Sequence, residues 1–409
     1  MRLARLNRRS VPCLIVFAVF LAWSDLRAQT TSWVATSTDD WFAATNWTNG
    51  VPNLSSTATI ATGGMAQING STAQAADLTI GTPGFAGYYS SVDVIGGAPL
   101  ELSSNLTVNA GGIIFGSANT NAVVTIDPGG TVLNHGQISG GGISFGGYNW
   151  YDQAPVALDF SGGGTLNNTG VIVGSAQTPN FVFGDGAVRV DGASGNITNA
   201  GVIGGANGIS LLNNGTILNK TGATIYGSAL NDNGFNSASG AGIFLAAGGS
   251  ITNQAGATIQ GLGQFSWGIH TVSPVPVYID NAGTISGNVD GINVNSDSQI
   301  TNEKGGSITS SMESAIAVTT GSNSVIRNSG TISSIATDGS PTIAMFYGGT
   351  IVNNATGVIT SSDGNAISIG FQGNSGPTAL SNYGTINGNV TLANQPNTVL
   401  LFTGGQTAI

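Results

Sequence analysis

The chain has 409 residues, of which 64 are glycine, and only 7% of its residues carry a charged side chain. Glycine is therefore about twice as frequent as the roughly 7% found in ordinary proteins. The apolar content of 40% argues against disorder. The glycines lack the three-residue period of collagen, and the residues typical of coiled coils are scarce as a set. The composition favours a long β-forming chain.

Residues 1–28 have the layout of a secretory signal peptide. A basic segment, residues 1–10, precedes an apolar run, residues 11–23, and a small residue, Ala28, follows. The run is too short to span a membrane comfortably, so a cleaved signal is favoured over an uncleaved membrane anchor. Cys13 is the only cysteine and lies in the apolar run, so the exported product is expected to be stabilised by packing without disulfides. No other segment reaches eighteen apolar residues, so the exported product is expected to contain no membrane span.

The exported part is acidic. Residues 29–409 contain four basic and 18 acidic side chains, a net charge of −14. Four scattered cations cannot follow a phosphate backbone, so nucleic acid is not expected as a partner. Contact with an anionic membrane surface is disfavoured for the same reason.

Residues 29–130 are predicted to contain an N-terminal cap and the first coils of a solenoid. The segment SWVATSTDDWFAATNWTNGVPN carries Trp33, Trp41 and Trp47, and short alternating segments follow it. An open solenoid end exposes unpaired backbone and apolar side chains, so a bulky cap is expected there. The alternative interpretation is that the three tryptophans form a sugar-stacking surface.

Ten copies of one phrase organise residues 131–409. Each has an apolar strand, an asparagine, a few small residues, usually a glycine, a variable residue and an isoleucine. A spacing of 22–34 residues between copies is typical of a stacked repeat fold and not of a compact globule. The isoleucines are Ile138, Ile172, Ile203, Ile225, Ile259, Ile285, Ile308, Ile332, Ile359 and Ile386.

Each repeat is predicted to hold three short strands. A second alternating run, such as GISLL (208–212), follows the isoleucine, and a third, such as PVYID (276–280), precedes the asparagine. Longer spacings then carry loop insertions. The predicted fold is all-β, a right-handed parallel β-helix with coils about 4.8 Å apart and isoleucines stacked inside. Each repeat asparagine is expected to lie in a left-handed turn and to hydrogen-bond to the equivalent asparagine of the next coil. The repeat glycines are expected to have positive φ.

The C-terminal segment contains no recognisable cap comparable to the tryptophan-rich N-terminal segment. It contains an apolar strand, residues 399–402, with nothing charged or amphipathic after it. Either a partner that covers this end or a longer parental sequence is expected.

The phrases NAGTISG, NSGTISS and NYGTINGNVTL resemble the passenger regions of Gram-negative autotransporters. The tryptophan-rich segment also resembles the opening of β-helical exported proteins that accompany such passengers. The resemblance covers most of residues 31–409 through short, degenerate phrases. It implies a β-helix that is exported through the periplasm, exposed at the cell surface or released, and often adhesive. The family ends in an outer-membrane β-barrel, and this sequence lacks such strands. A truncated chain, a separate barrel translocator and another export route remain open.

The acidic residues and the histidines do not form a recognisable catalytic set. The acids are dispersed, with one adjacent pair, Asp39 and Asp40. Asp280 and Asp290 could approach each other across coils, as could almost any pair in a solenoid, so solvated turns are the expected role of such acids. His135 and His270 are too far apart in sequence for a histidine metal cluster or a well-supported triad, and ordinary coil positions are expected for both. No catalytic residue, metal or cofactor is therefore predicted.

One aromatic insertion is the candidate ligand site. Four aromatic residues lie together between two repeat phrases: Phe145, Tyr148, Trp150 and Tyr151. If exposed on the rod, their rings can stack on sugar rings or anchor a protein partner. The alternative is that these rings pack onto the flank of the rod. FAGYY (85–89) and QFSWG (264–268) are smaller clusters of this kind.

The predicted function is a secreted or cell-surface structural and adhesive protein that binds glycans or proteins of host or neighbouring cells. Two alternatives are a polysaccharide-active β-helix enzyme, lyase or hydrolase, and a remnant of a longer autotransporter. Three or more charged side chains converging in one groove on a strand face would favour the enzyme. A flank of Thr, Ser and Asn would favour adhesion or scaffolding.

Overall fold

The computed structural model describes residues 29–84, 89–95, 97–116, 122–140, 156–174, 186–228, 240–372, 376–392, 398–402 and 407–408. The predicted signal peptide lies outside the described residues. As predicted, the fold is a right-handed parallel β-helix, in which strands of successive coils pair in parallel. A short 3-10 helix occupies Ala44–Asn46. Among the described residues, no helix has the length and apolar character needed to cross a bilayer.

The strands are short. The first along the chain are β1 (Gln29–Ser32), β2 (Thr38–Asp40), β3 (Ser56–Ile60), β4 (Met65–Asn69), β5 (Ala73–Ile80), β6 (Ser90–Ile95), β7 (Leu100–Val108), β8 (Gly112–Gly116), β9 (Ala122–Ile126), β10 (Thr131–Asn134), β11 (Gln137–Ser139), β12 (Val156–Phe160) and β13 (Gly164–Asn168). Next come β14 (Val171–Val173), β15 (Gly186–Val190), β16 (Gly195–Asn199), β17 (Val202–Gly205), β18 (Asn207–Leu211), β19 (Gly215–Asn219), β20 (Thr224–Gly227), β21 (Ala241–Leu245), β22 (Gly249–Asn253), β23 (Thr258–Gly261), β24 (Trp267–Thr271), β25 (Val277–Asn281) and β26 (Thr284–Gly287). The last are β27 (Ile292–Val294), β28 (Gln299–Asn302), β29 (Ser307–Ser310), β30 (Ile316–Val318), β31 (Val325–Asn328), β32 (Thr331–Ser334), β33 (Ile343–Met345), β34 (Gly349–Asn353), β35 (Val358–Ile369), β36 (Thr378–Asn382), β37 (Thr385–Leu392), β38 (Thr398–Phe402) and β39 (Thr407–Ala408).

The strands stack into three faces. Face 1 holds the strands that precede the repeat asparagines, such as β16, β19, β22 and β25. Face 2 holds the strands with the repeat isoleucines, such as β20, β23, β26 and β29. Face 3 holds the third strand of each coil, such as β24, β27, β30 and β33. Strands β5, β7, β35 and β37 turn a corner and contribute to two faces.

The ten repeat isoleucines form one continuous column, as predicted. Each is paired in register with the next, from Ile138 to Ile386, and all are fully buried. Similar buried columns line the other two faces, with Ile251 over Ile279 on face 1 and Ile269 over Ile292 on face 3. The core is therefore a triangular prism of β-branched side chains, which pack well on pleated surfaces.

The repeat asparagines form a second ladder inside the corner between faces 1 and 2. The Nδ2 of each donates to the Oδ1 of its counterpart on the next coil at 2.8–2.9 Å, over nine steps from Asn134 to Asn382. Most of these amides also donate to a backbone carbonyl, as Asn281 does to Ser307. These asparagines end face-1 strands and are buried, which confirms the predicted ladder and places them in extended strands, not in left-handed turns.

The prediction that the repeat glycines need positive φ is wrong for the short form of the turn. Gly170 and Gly201 do not have positive φ. A Cβ on Gly201 would lie 2.1 Å from the carbonyl oxygen of Gly170 on the preceding coil, so close backbone approach requires glycine there. Turns with two extra residues do use a left-handed glycine, such as Gly222 (φ 77°) and Gly256 (φ 75°).

The three N-terminal tryptophans are buried in the core. Trp47 packs edge-to-face against Trp33 and Trp41, with ring centroids 5.1 and 4.9 Å apart. The Nε1 of Trp47 donates to the carbonyl of Trp41 at 2.8 Å. Because the exposed fraction of these rings is at most 4%, they do not form a sugar-stacking surface. At the other end of the rod, Val399 and Leu400 are exposed.

The ladder predicts a sharp stability effect at Asn281. The Asn281→Asp substitution removes the donors to Asn302 and Ser307 and buries a carboxylate without a cation, so we expect a loss of about 3 kcal/mol or more in the free energy of unfolding at pH 7. Asn69, which is exposed on β4, provides the control Asn69→Asp. Denaturant unfolding of both variants is the measurement, and equal effects at the two positions would contradict a stabilising role for the ladder.

Candidate functional site

A groove of about 380 Å³ lies on the outside of face 3, near the C-terminal half of the rod. Its floor includes the outward positions of β30 and β33, where Ala317 and Ala344 pair in register. Small side chains on two successive coils leave a depression between the turn residues on one side and Phe346 and Phe371 on the other. The groove therefore crosses strands and follows the stack of coils.

One edge of the groove is aromatic. Phe346 follows β33 and Phe371 follows β35, on successive coils. Their ring centroids are 4.5 Å apart and the planes are inclined by 47°. The side chain of Phe371 is 44% exposed, so an apolar ring face is available to a ligand beside the alanine floor.

The opposite edge is acidic, because the turn between faces 2 and 3 carries a carboxylate on successive coils. Asp290, Glu313 and Asp338 line the groove. The Oδ2 of Asp290 accepts hydrogen bonds from Asn293 Nδ2 (2.7 Å) and Trp267 Nε1 (3.2 Å), and its Oδ1 accepts from the Ser314 amide (3.1 Å). Asp338 accepts from the amide and hydroxyl of Ser340, both at 3.0 Å.

Asp290 is the unusual member of this set. It is 1% exposed, and burial raises the pKa of its carboxyl to about 7. The hydrogen bond from Asn293 opposes this effect, whereas the negative charge of Glu313 adds to it. The prediction that the dispersed acids lie in solvated turns is therefore wrong for Asp290, because Trp267 from the preceding coil covers it. Asp280 is exposed, as expected, but it lies in β25 on face 1 and not in a turn.

The aromatic insertion proposed from the sequence, with Phe145, Tyr148, Trp150 and Tyr151, lies outside the described residues, and its role stays a prediction. Of the smaller clusters, Tyr89 is 66% exposed and Phe265 is 39% exposed. Trp267 instead contacts the buried Asp290.

The two histidines lie apart, at ordinary coil positions. His135 is in a turn, where its Nδ1 is 2.6 Å from the Thr169 hydroxyl. His270 is on face 3 with its ring 4.3 Å from that of Trp267, and burial lowers its pKa to about 4. In the part of the chain that the structure describes, no three His, Cys, Asp or Glu side chains are grouped to hold a metal ion.

The sequence contained a signal for the groove that periodicity alone did not reveal. The runs AIAVT (315–319) and TIAMF (342–346) place alanine at equivalent outward positions on neighbouring coils, and Phe346 follows directly. Aligning the third strands by coil would have shown small residues beside aromatic ones. The acidic edge required the same alignment, because its members lie more than twenty residues apart.

Fold and groove together define a β-helical rod with a mixed aromatic and acidic surface site. The sequence matches no known protein-family model, no curated protein and no solved structure. The interpretation of the groove therefore depends on its own geometry.

The raised pKa of Asp290 predicts how stability changes with pH. The carboxyl has a pKa near 3.8 in the unfolded chain and about 7 in the folded state, so the unfolded chain ionises first. The stability that the protonated carboxyl contributes is fully present below pH 3.8 and is lost as pH rises to about 7. Relative to Asp290→Asn, the wild-type protein should lose on the order of 4 kcal/mol across this window.

Urea unfolding between pH 3 and 8 measures this difference. The matched control is Asp280→Asn, which removes an exposed carboxylate from face 1. A difference for Asp290→Asn that does not change with pH would show that folding does not raise the pKa of the Asp290 carboxyl.

Proposed function

We propose that this chain is the β-helical passenger of an exported, cell-surface or secreted adhesive protein, similar to an autotransporter passenger, and that it binds glycans in the face-3 groove. The all-parallel coils with Asn-x-Gly-x-Ile rungs support the passenger assignment, together with the signal-like layout of residues 1–28. The partners are glycans or glycoproteins of host or neighbouring cells. Export through the periplasm belongs to the same proposal.

The single observation that carries glycan binding is the pairing of an exposed aromatic edge with a hydrogen-bonding edge across a flat alanine floor. Sugar rings have an apolar C–H face that packs on aromatic rings, and hydroxyl groups that donate to carboxylates. The carboxylates also exclude anionic ligands by like-charge repulsion. The preferred ligands are therefore neutral glycans and amino sugars.

Replacing Phe371 tests this proposal. Phe371→Ala removes the exposed ring without touching the core, so we expect about tenfold weaker glycan binding, equivalent to about 1.4 kcal/mol. Phe265→Ala is the matched control, because Phe265 is similarly exposed away from the groove. The measurement is binding to immobilised neutral, amino-sugar and uronic-acid polysaccharides. Preference for uronic acids, or unchanged binding by a folded Phe371→Ala protein, would refute the assignment.

Catalysis is a second candidate, and Asp290 is the observation that favours it. A buried carboxyl with a pKa of about 7 beside a second carboxylate, Glu313, has the character of a general acid in glycoside cleavage. Three acids also line one groove, and such a convergence of charged side chains is expected of an enzyme. Binding is favoured because Asp290 is buried and both its oxygens already accept hydrogen bonds within the chain. The exposed Glu313 is the carboxylate that a sugar hydroxyl can reach.

Product release from bound polysaccharides separates the two functions. Incubation of the protein with each polysaccharide that it binds is expected to release no reducing ends and no unsaturated products. Release that is lost in Asp290→Asn and retained in the Asp280→Asn control would establish catalysis in the groove and replace the purely adhesive assignment.

A further inference from the structure

A second groove, of about 640 Å³, lies on face 1, on strands of other coils. It extends across the starts of β16, β19, β22 and β25, four successive coils. At about 4.8 Å per coil, the three steps cover roughly 14 Å along the rod. Its volume is in the range of ordinary ligand sites, which hold about 300–1,000 Å³.

Glycine backbone lines part of the floor of this groove. Gly195, Gly215 and Gly249 occupy the first position of their strands. A Cβ on Gly215 would lie 2.6 Å from the carbonyl oxygen of Gly195, so the coils approach too closely at this edge for any side chain. The floor is therefore backbone, and neighbouring side chains rise above it.

An aromatic side chain forms one wall. Tyr278, the second residue of β25, points outward with 52% of its side chain exposed, and Val275 and Pro276 continue the wall. A half-exposed tyrosine on a rigid strand presents a ring face at low entropic cost, because only two torsions need to be held.

Neutral polar groups complete the lining. Asn196, Asn214 and Thr216 lie across the groove from Tyr278 and are exposed. The hydroxyl of Thr216 donates to the Oδ1 of Asn196 at 2.9 Å, which holds the two side chains together. Amides and hydroxyls both donate and accept, as sugar hydroxyls do.

None of the ten lining residues is charged, although residues 29–409 have a net charge of −14. The lining contains no cation to attract an anionic ligand and no carboxylate to attract a cation. This neutrality distinguishes the face-1 groove from the acidic face-3 groove and limits the ligand to an uncharged one.

We infer that the face-1 groove is a second carbohydrate-binding site, which takes a neutral oligosaccharide of a few pyranose rings aligned with the axis of the rod. One ring packs against Tyr278, and the next rings hydrogen-bond to Thr216, Asn214 and Asn196. This site is independent of the glycan function proposed for face 3. If both sites bind, one rigid rod engages a polysaccharide at two points, which raises avidity without new contacts.

Calorimetric titration with cellohexaose, xylohexaose and mannohexaose tests the inference, with hexagalacturonate as the charged comparison. We expect at least one neutral hexasaccharide to bind and hexagalacturonate not to bind this groove. Tyr278→Ala should weaken binding at least tenfold, whereas Tyr278→Phe, which keeps the ring, should stay within about threefold of wild type. Tyr383→Ala is the matched control, because Tyr383 is 39% exposed elsewhere.

Two results would overturn the inference. One is the absence of binding by all three neutral hexasaccharides up to 10 mM ligand, on the order of the weakest specific affinities. The other is wild-type affinity in a folded Tyr278→Ala protein. The Phe371→Ala variant keeps the proposals separate: binding lost only in Phe371→Ala supports face 3 and refutes face 1, and binding lost only in Tyr278→Ala does the reverse.

Discussion

Parallel stacking of successive coils is the constraint on which the rest of this structure depends. Each strand hydrogen-bonds to the equivalent strands about 4.8 Å above and below, so every side chain meets its counterpart. Isoleucine on isoleucine fills the interior, and asparagine on asparagine satisfies an otherwise buried amide. Like charges would repel in such an arrangement, which is consistent with a charged content of only 7%. One charge on an outer face, that of Arg189, is paired with the opposite charge of Asp159 on the preceding coil at 2.7 Å.

The same constraint creates the surface sites. The face-3 groove forms where two successive coils carry small residues at one outward position, Ala317 and Ala344, and glycine backbone lines the face-1 groove at Gly195 and Gly215. Turns then supply the walls, one residue per coil. The acidic edge of the face-3 groove follows from this rule, since a carboxylate recurs at one corner. Burial raises the pKa of the innermost one, Asp290, and the negative charge of Glu313 adds to this effect.

The fold and its interior were predictable, because both follow from a period along the chain. The isoleucine column and the asparagine ladder needed only the repeat phrase and the alternation of strands. The role of the repeat glycines was not predictable in the same way. Gly201 is required by a carbonyl oxygen that lies on another coil, and the sequence around it is indistinguishable from that of a left-handed turn. The candidate sites were also missed, since their members are separated by a coil or more and have no common motif.

By itself, the sequence determined the number of faces, the residues that point inward and the register in which they stack. This is because hydrophobic alternation can be read within each repeat, and the same pattern recurs in every stacked coil. Only the tertiary structure decided which outward positions are covered. Asp290 is buried because an indole from the coil before it lies over its carboxyl, whereas Tyr278, between Ser250 and Gln299 on the neighbouring coils, is half exposed. Exposure on the flank depends on the height of side chains one coil away, and no pattern within a single repeat contains that information.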